Sequence, residues 1–174
     1  SFFKNILNEY PENKTARICY GRAIGLSGNP AGGTEAFRKL LTDFPNDREV
    51  ELNLAESYLW QNDPSSALPL YRALIVQNPD LFSAWLGLSN SYSQKQVYDS
   101  AYQAISETLE LQPTNEQALL SAKYIRLGYA SKLSSEERDY EQAIEMIEAN
   151  LEINSGDQES MAALANVYVI SGSF

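Results

Sequence analysis

The side chains with the most chemical capacity in this sequence are carboxylates. Between Ser134 and Glu159 stand nine of them (Glu136, Glu137, Asp139, Glu141, Glu145, Glu148, Glu152, Asp157, Glu159) against the single Arg138, so 26 residues carry −8 of a net charge of −10. Carboxylate pairs can do acid–base chemistry, but at helical spacing they describe a solvated face first and a docking surface for a basic partner second. Glu137, Glu141, Glu145, Glu148 and Glu152 form that candidate acidic face. The remaining catalytic repertoire is thin. The sequence has no histidine, which removes the commonest general base and the commonest metal ligand. Cys19 is the only cysteine, so neither an internal disulfide nor a thiolate zinc site can form. It falls on a helix near the core and reads as a packed thiol rather than a nucleophile. The glycine-rich "NPAGGT" lacks the lysine of a phosphate-binding loop, and no Gly-x-Gly-x-x-Gly occurs. No enzymatic activity, cofactor or metal is expected.

Charge narrows the partners. With 13 basic and 23 acidic residues the chain is unsuited to a nucleic-acid backbone or an anionic membrane surface, which leaves a protein or peptide partner, one with a basic surface fitting best. No stretch approaches the ~18 apolar residues that membrane insertion needs. The opening "SFFKNILNEYPENK" lacks the basic start, apolar centre and small-residue cleavage site of a signal peptide, although a signal removed earlier stays open. Cytoplasm and periplasm both remain open as compartments.

What positions these residues is a repeat. Pro11, Pro45, Pro79 and Pro113 are each 34 residues apart, and other columns share the step: Phe3, Phe37, Tyr71 and Ile105; Leu7, Leu41, Ile75 and Leu109. Ile6, Leu40 and Leu74 form a further column that fails at Thr108, and Leu54 matches Leu88, Tyr58 matches Tyr92 and Ala67 matches Ala101. Each unit divides into two helices. "REVELNLAESYLWQ" spaces Val50, Leu54, Tyr58 and Leu59 for a helix, and Asp63 then caps a second helix with Pro64 at its first position. Pro69 falls in that helix's second turn, where it could bend it, and Pro79 ends it.

The period, with Trp85, Leu88, Ser89 and Tyr92 in one helix and Ala101, Ile105 and Pro113 after it, resembles the tetratricopeptide repeat. Leu54, Ala55, Tyr58, Ala67, Tyr71 and Pro79 match in the unit before, with Glu51 in place of the tryptophan. The resemblance implies an all-α fold, an α-solenoid of antiparallel helix hairpins. Phased this way, the chain divides into 1–13 (a second helix), 14–47, 48–81, 82–115, an extended repeat 116–157, and 158–174 (a first helix). Trp85, Tyr58, Tyr92, Tyr71 and Phe37 are expected in the core, since one hairpin cannot bury its apolar face alone.

Three departures from the pattern yield expectations. "LSGNPAGGTEAF" holds three glycines and a proline, so the second helix of its unit is expected to begin late, near Thr34. Repeat 116–157 is eight residues longer than the period. Ser134 with Glu137 reads as a capping box, which puts a turn near Leu133–Ser134, lengthens both helices by about one turn and makes the hairpin protrude. Neither end resembles a capping repeat, so the sequence is expected to be a piece of a longer array, and its bare apolar ends favour end-to-end self-association.

The resemblance also implies a partner segment held in a groove lined by first helices. By the period, the groove positions are Arg22, Asn53, Glu56, Trp60, Asn90, Gln94, Gln117, Ser121, Tyr124, Glu159 and Asn166. Their amides could pair with a peptide backbone, and exposed Trp60 or Tyr124 could anchor it. A clamp for a C-terminal carboxylate is rejected, because its positions hold Ile18, Arg22, Asn53, Ser83 and Gly87, of which only Asn53 fits. A protein-interaction scaffold is therefore the leading expectation. Alternatives are a periplasmic structural array of an envelope or polysaccharide-export machine, and the regulatory arm of an enzyme whose catalytic domain lies elsewhere.

Overall fold

A computed structural model describes residues 9–172. Among them are nine α-helices and no strand: α1 (Lys14–Leu26), α2 (Pro30–Asp43), α3 (Arg48–Trp60), α4 (Pro64–Gln77), α5 (Phe82–Gln94), α6 (Tyr98–Leu111), α7 (Glu116–Lys132), α8 (Tyr140–Ile153) and α9 (Gln158–Ser171). A π-helical turn, Leu133–Glu137, extends α7. The part of the predicted first partial helix that holds Phe3, Ile6 and Leu7 lies outside the described residues.

Local chemistry sets the boundaries. Asn13, Asn29, Asp47, Asp63, Asn115, Asp139 and Asp157 each accept a backbone N–H of the first turn that follows, satisfying a donor the helix cannot. At the other end, Phe44, Asn78 and Gln112 stand before Pro45, Pro79 and Pro113 with φ of −125°, −142° and −143°, so the proline forces each out of the helical region. Asn62, Gln96 and Arg138 adopt left-handed backbone just before the second helices of their hairpins, reversing the chain tightly. α4 runs unbroken through Pro69.

Two expectations about boundaries are corrected. α2 begins at Pro30, not near Thr34, because Asn29 and Pro30 repeat the cap-and-proline start seen at Asp63 and Pro64. The glycines there serve packing: a Cβ at Gly33 would lie 3.0 Å from the Gly21 carbonyl oxygen and from the Gly25 Cα, so α2 meets α1 backbone to backbone. The capping box at Ser134 also fails. Ser134 is buried and its hydroxyl donates to the Ala130 carbonyl at 2.8 Å, while Leu133 beside it is buried too, so the helix continues past both. The turn comes at Arg138, and Asp139 is the cap. In the three preceding hairpins the second helix starts 16 residues after the first; here the interval is 24, so all eight extra residues lengthen the first helix and its turn, and none lengthens α8.

The chain forms two compact units, Ser1–Gln94 and Lys95–Phe174. In each, consecutive helices pack on one another, and alternate first helices also touch (α1 with α3, α3 with α5, α7 with α9). The core of the first unit gathers Ile18, Phe37, Leu40, Val50 and Leu54, and that of the second Tyr129, Ala130, Leu133, Ala143, Met146, Ile147 and Val167. Some repeat columns are buried throughout the described residues, Phe37, Tyr71 and Ile105 in one and Ala67 and Ala101 in another, whereas Leu41, Ile75 and Leu109 are half-buried. Thr108, the exception in its column, is buried with its hydroxyl on the Ala104 carbonyl, so the substitution leaves no unsatisfied donor. Trp85, Tyr58 and Tyr92 are half-buried rather than core. Each keeps a polar tip in use: Trp85 Nε1 donates to the Pro79 carbonyl, and the Tyr58 and Tyr92 hydroxyls accept from Arg38 and Arg72, which stack on the same rings. No helix among the described residues is long and apolar enough to cross a membrane.

Candidate partner-binding faces

In the first unit the first-helix face is supplied by α1, α3 and α5. Four of its candidates form one closed cluster. Arg22 Nη1 donates to Asn53 Oδ1 at 2.9 Å and to Glu56 Oε2 at 2.6 Å, and Nη2 reaches Glu56 Oε1 at 3.3 Å. The guanidinium also lies 5.7 Å from the Trp60 ring centroid. Asn53 is 6% exposed, and its Nδ2 donates to the Glu49 carbonyl, so its amide is not free for a peptide. Trp60 is half-buried, not an exposed anchor. Its ring fills the space left by Gly25, where a Cβ would come within 2.4 Å of it, and stands 6.3 Å from the Phe37 ring. This arrangement braces α1 against α3. Arg22 and Glu56 occupy the same position of successive units with opposite charge, which is the signal in the sequence that could have disclosed the pair. Beyond the brace, Asn90 is half-buried and Gln94 exposed, and neither amide has a hydrogen-bond partner among the described residues.

In the second unit the face comes from α7 and α9. Gln117, Glu159 and Asn166 are exposed, Ser121 is half-buried, and Tyr124 is 52% exposed. Lys123, which sequence reasoning passed over, holds the two helices together: its Nζ donates to Asp157 Oδ1 at 2.6 Å, pairs with Glu159 Oε2 at 2.6 Å and lies 5.3 Å from the Tyr124 ring centroid. Tyr124 and Glu159 are thereby brought side by side, and Asn166 lies two turns further along α9 than Glu159.

The acidic face divides. Glu141, Glu145, Glu148 and Glu152 follow helical spacing down one exposed side of α8 and form no ion pair among the described residues. Glu137 stands apart, on the π-helical turn, where it pairs with Lys132 at 3.0 Å. No group of three histidine, cysteine or carboxylate side chains among the described residues is placed to hold a metal ion.

Residues 26–88 match the family model for the tetratricopeptide repeat. A tetratricopeptide repeat protein from Parabacteroides merdae superposes with a TM-score of 0.70 at 18% identity, covering 98% of this chain, which spans 64% of the length of that protein. Residues 26–88 carry tetratricopeptide repeats. MamA from Desulfovibrio magneticus RS-1 superposes with a TM-score of 0.71 at 16% identity, covering 90% of this chain and 84% of its own. The first tetratricopeptide domain of human RPAP3 does so with a TM-score of 0.64 at 19% identity, covering 72% of this chain and 98% of its own. At these identities the likeness is one of fold. No curated protein matches the sequence.

The two units share one electrostatic device. Lys14 pairs with Asp47 at 2.9 Å and Glu49 at 3.0 Å, as Lys123 pairs with Asp157 and Glu159, so in each unit a lysine of one first helix grips the capping aspartate of the next. Hydrogen bonding from the lysine holds the Asp47 and Asp157 carboxyls below the usual range. Asp99 is lowered too, chiefly by the Tyr129 hydroxyl, which donates at 2.5 Å, and then by Lys132. The same contact pushes the Tyr129 phenol up to about 12. Groups with depressed pKa stabilise the fold above their unfolded pKa of about 3.9 and lose that contribution as pH falls through the folded value. Urea midpoints should therefore be level near neutrality and drop below about pH 4, and an Asp47→Asn/Asp157→Asn variant should drop less steeply. Equal slopes in the two proteins would remove these carboxylates as the cause.

Proposed function

We propose that the chain is a protein-interaction scaffold that holds a partner segment on the first-helix faces of its repeats. Tetratricopeptide repeats act as protein-binding scaffolds, and the family is typically non-catalytic. The observation that carries the reading is the set of unspent side chains on these faces. Asn90, Gln94, Gln117 and Asn166 present amides that bond nothing among the described residues, and Tyr124 adds a half-exposed ring. An amide that both donates and accepts can pair with a peptide backbone whatever its sequence, and an aromatic anchor adds contact area at small entropic cost. Arg22, Asn53, Glu56 and Trp60 serve this reading as the frame that fixes α1 and α3 rather than as contacts.

Photo-crosslinking from position 124 in source cells would identify the partner. The purified partner should then bind Tyr124→Ala/Asn166→Ala about tenfold more weakly than the parent chain, with the thermal midpoint unchanged. Equal affinity would remove the α7–α9 face from the binding surface.

A further inference from the structure

The residues that lengthen the first helix of the second unit also build a recess. α7 starts one 34-residue period after α5, so Gly128 is the counterpart of Gln94, the last residue of α5, and residues 131–136 have no equivalent in the shorter first helices. Together with the start of α6 they border a cavity of about 430 Å³. Ligand pockets run from roughly 300 to 1,000 Å³. Gly128 and Tyr98 both line it, and there the tyrosine lies against the α7 backbone: a Cβ at position 128 would come within 2.4 Å of Tyr98 Cε1 and 2.9 Å of its hydroxyl oxygen.

The π-helical turn decides the charge of the lining. In an α-helix Glu136 would face Lys132 at the i,i+4 spacing of an ion pair. A π turn brings residues at i,i+5 together instead, and Lys132 pairs with Glu137 at 3.0 Å, its other contact being Asp99 at 3.1 Å. Glu136 lines the cavity, is exposed and forms no ion pair among the described residues. Of the two charged side chains in the lining, the cation is therefore spent and the carboxylate is not. The uncharged groups act in the same sense. Ser135 donates its hydroxyl hydrogen to the Ser131 carbonyl at 2.6 Å, so its oxygen can only accept a further bond. Gln96, Tyr98 and Ser131 each add a side-chain oxygen that is hydrogen-bonded to nothing among the described residues. An anion would meet Glu136 with no free positive charge to offset it, and an apolar group would strip water from the acceptors without replacing it. A compact cation with several N–H donors satisfies both.

We propose that this recess binds a primary alkylammonium group, carried by a lysine side chain of a partner or by a free small amine, with Glu136 as counter-ion and the oxygens of Gln96, Tyr98, Ser131 and Ser135 as acceptors. The site shares no residue with the first-helix faces and does not depend on the scaffold reading.

The test follows backbone amide shifts of the isotope-labelled chain during titration with lysine capped at both backbone ends, with the same molecule acetylated on its side-chain nitrogen, and with putrescine. A charged probe should give saturable shifts centred on residues 96–98 and 131–136, and the acetylated one none. Tighter binding of the capped lysine assigns the site to a protein-borne ammonium, and tighter binding of putrescine to a free amine. Glu136→Gln should weaken binding about fivefold, the scale of a partly exposed ion pair. Glu110→Gln, which removes the same charge at the other end of α6, should leave it unchanged. Glu136 is exposed, circular dichroism checks that its variant keeps the fold, and the acetylated probe needs no variant. Diffuse attraction would instead place the shifts on α8, where Glu141, Glu145, Glu148 and Glu152 form no ion pair among the described residues. Shifts centred there, an equal response to the acetylated probe, unchanged binding to Glu136→Gln, or no saturable shift with either charged probe overturns the proposal.

Discussion

Gly87→Val is expected to destabilise the first unit by about 3 kcal/mol, with Gly87→Ala smaller but of the same sign. The sign is informative. In an uncrowded helix interior, replacing glycine by alanine stabilises by about 1 kcal/mol, because the chain gives up less backbone freedom on folding. Gly87 lies inside α5, so propensity alone forecasts a gain. Packing reverses it. A Cβ at position 87 would sit 2.2 Å from Cε1 and Cζ of Tyr71 and 2.6 Å from its hydroxyl oxygen. Tyr71 is 2% exposed and cannot swing aside, and burial holds its phenol pKa above the normal value. The clash must therefore be relieved by separating α5 from α4, along the whole contact. Urea unfolding followed by circular dichroism would measure the cost. Shortening the opposing ring should restore part of it, so Gly87→Ala/Tyr71→Leu should lose less than the sum of its single variants. Strict additivity would show that the two residues do not meet.

That contact illustrates what the sequence discloses and what it withholds. The 34-residue columns identify Tyr71 as core because burial is a property of one position, repeated. They say nothing of Gly87, whose counterparts one period away are Asn53 and Ser121, so the ring it must admit is invisible to them. The same distinction explains Asn29–Gly33. Read locally, two adjacent glycines argue for a loop; in three dimensions they are what lets α2 begin at Pro30 against the α1 backbone. Ser134 and Glu137 have the spacing of a capping box, yet burial of Leu133 and Ser134 favours continuing the helix, and Arg138 supplies the left-handed turn that no local pattern at an arginine foretells. The candidate faces follow the same rule. Periodicity puts Arg22, Asn53, Glu56 and Trp60 at neighbouring first-helix positions, but that they satisfy one another depends on side-chain reach across two helices. Tyr124 is half exposed although Lys123, gripped by Asp157 and Glu159, also lies over its ring, a contact that spacing alone does not reveal.

The brace in the first unit yields the second large effect, since it rests on a core residue. Phe37→Ala should cost about 3–5 kcal/mol: the ring is completely buried, and its removal leaves a cavity that the flanking helices cannot close. One flank is Gly21, which offers no side chain to collapse inward, and a Cβ there would already lie 2.9 Å from the ring. The other is Trp60, the ring on which Arg22 stacks. Loss of Phe37 therefore removes the support beneath the tryptophan, and the brace should loosen before the unit unfolds. Trp60 reports this directly once the second tryptophan is replaced by Trp85→Phe. In that background Phe37→Ala should shift native-state emission to the red and raise its accessibility to a neutral quencher. Phe37→Leu, which fills most of the volume, should cost about 1.5 kcal/mol or less and leave the emission in place. A destabilisation below about 1 kcal/mol for Phe37→Ala would show that the helices close over the gap. Unchanged emission with the full loss of stability would separate the brace from the core and leave Arg22, Asn53 and Glu56 to hold the indole by themselves.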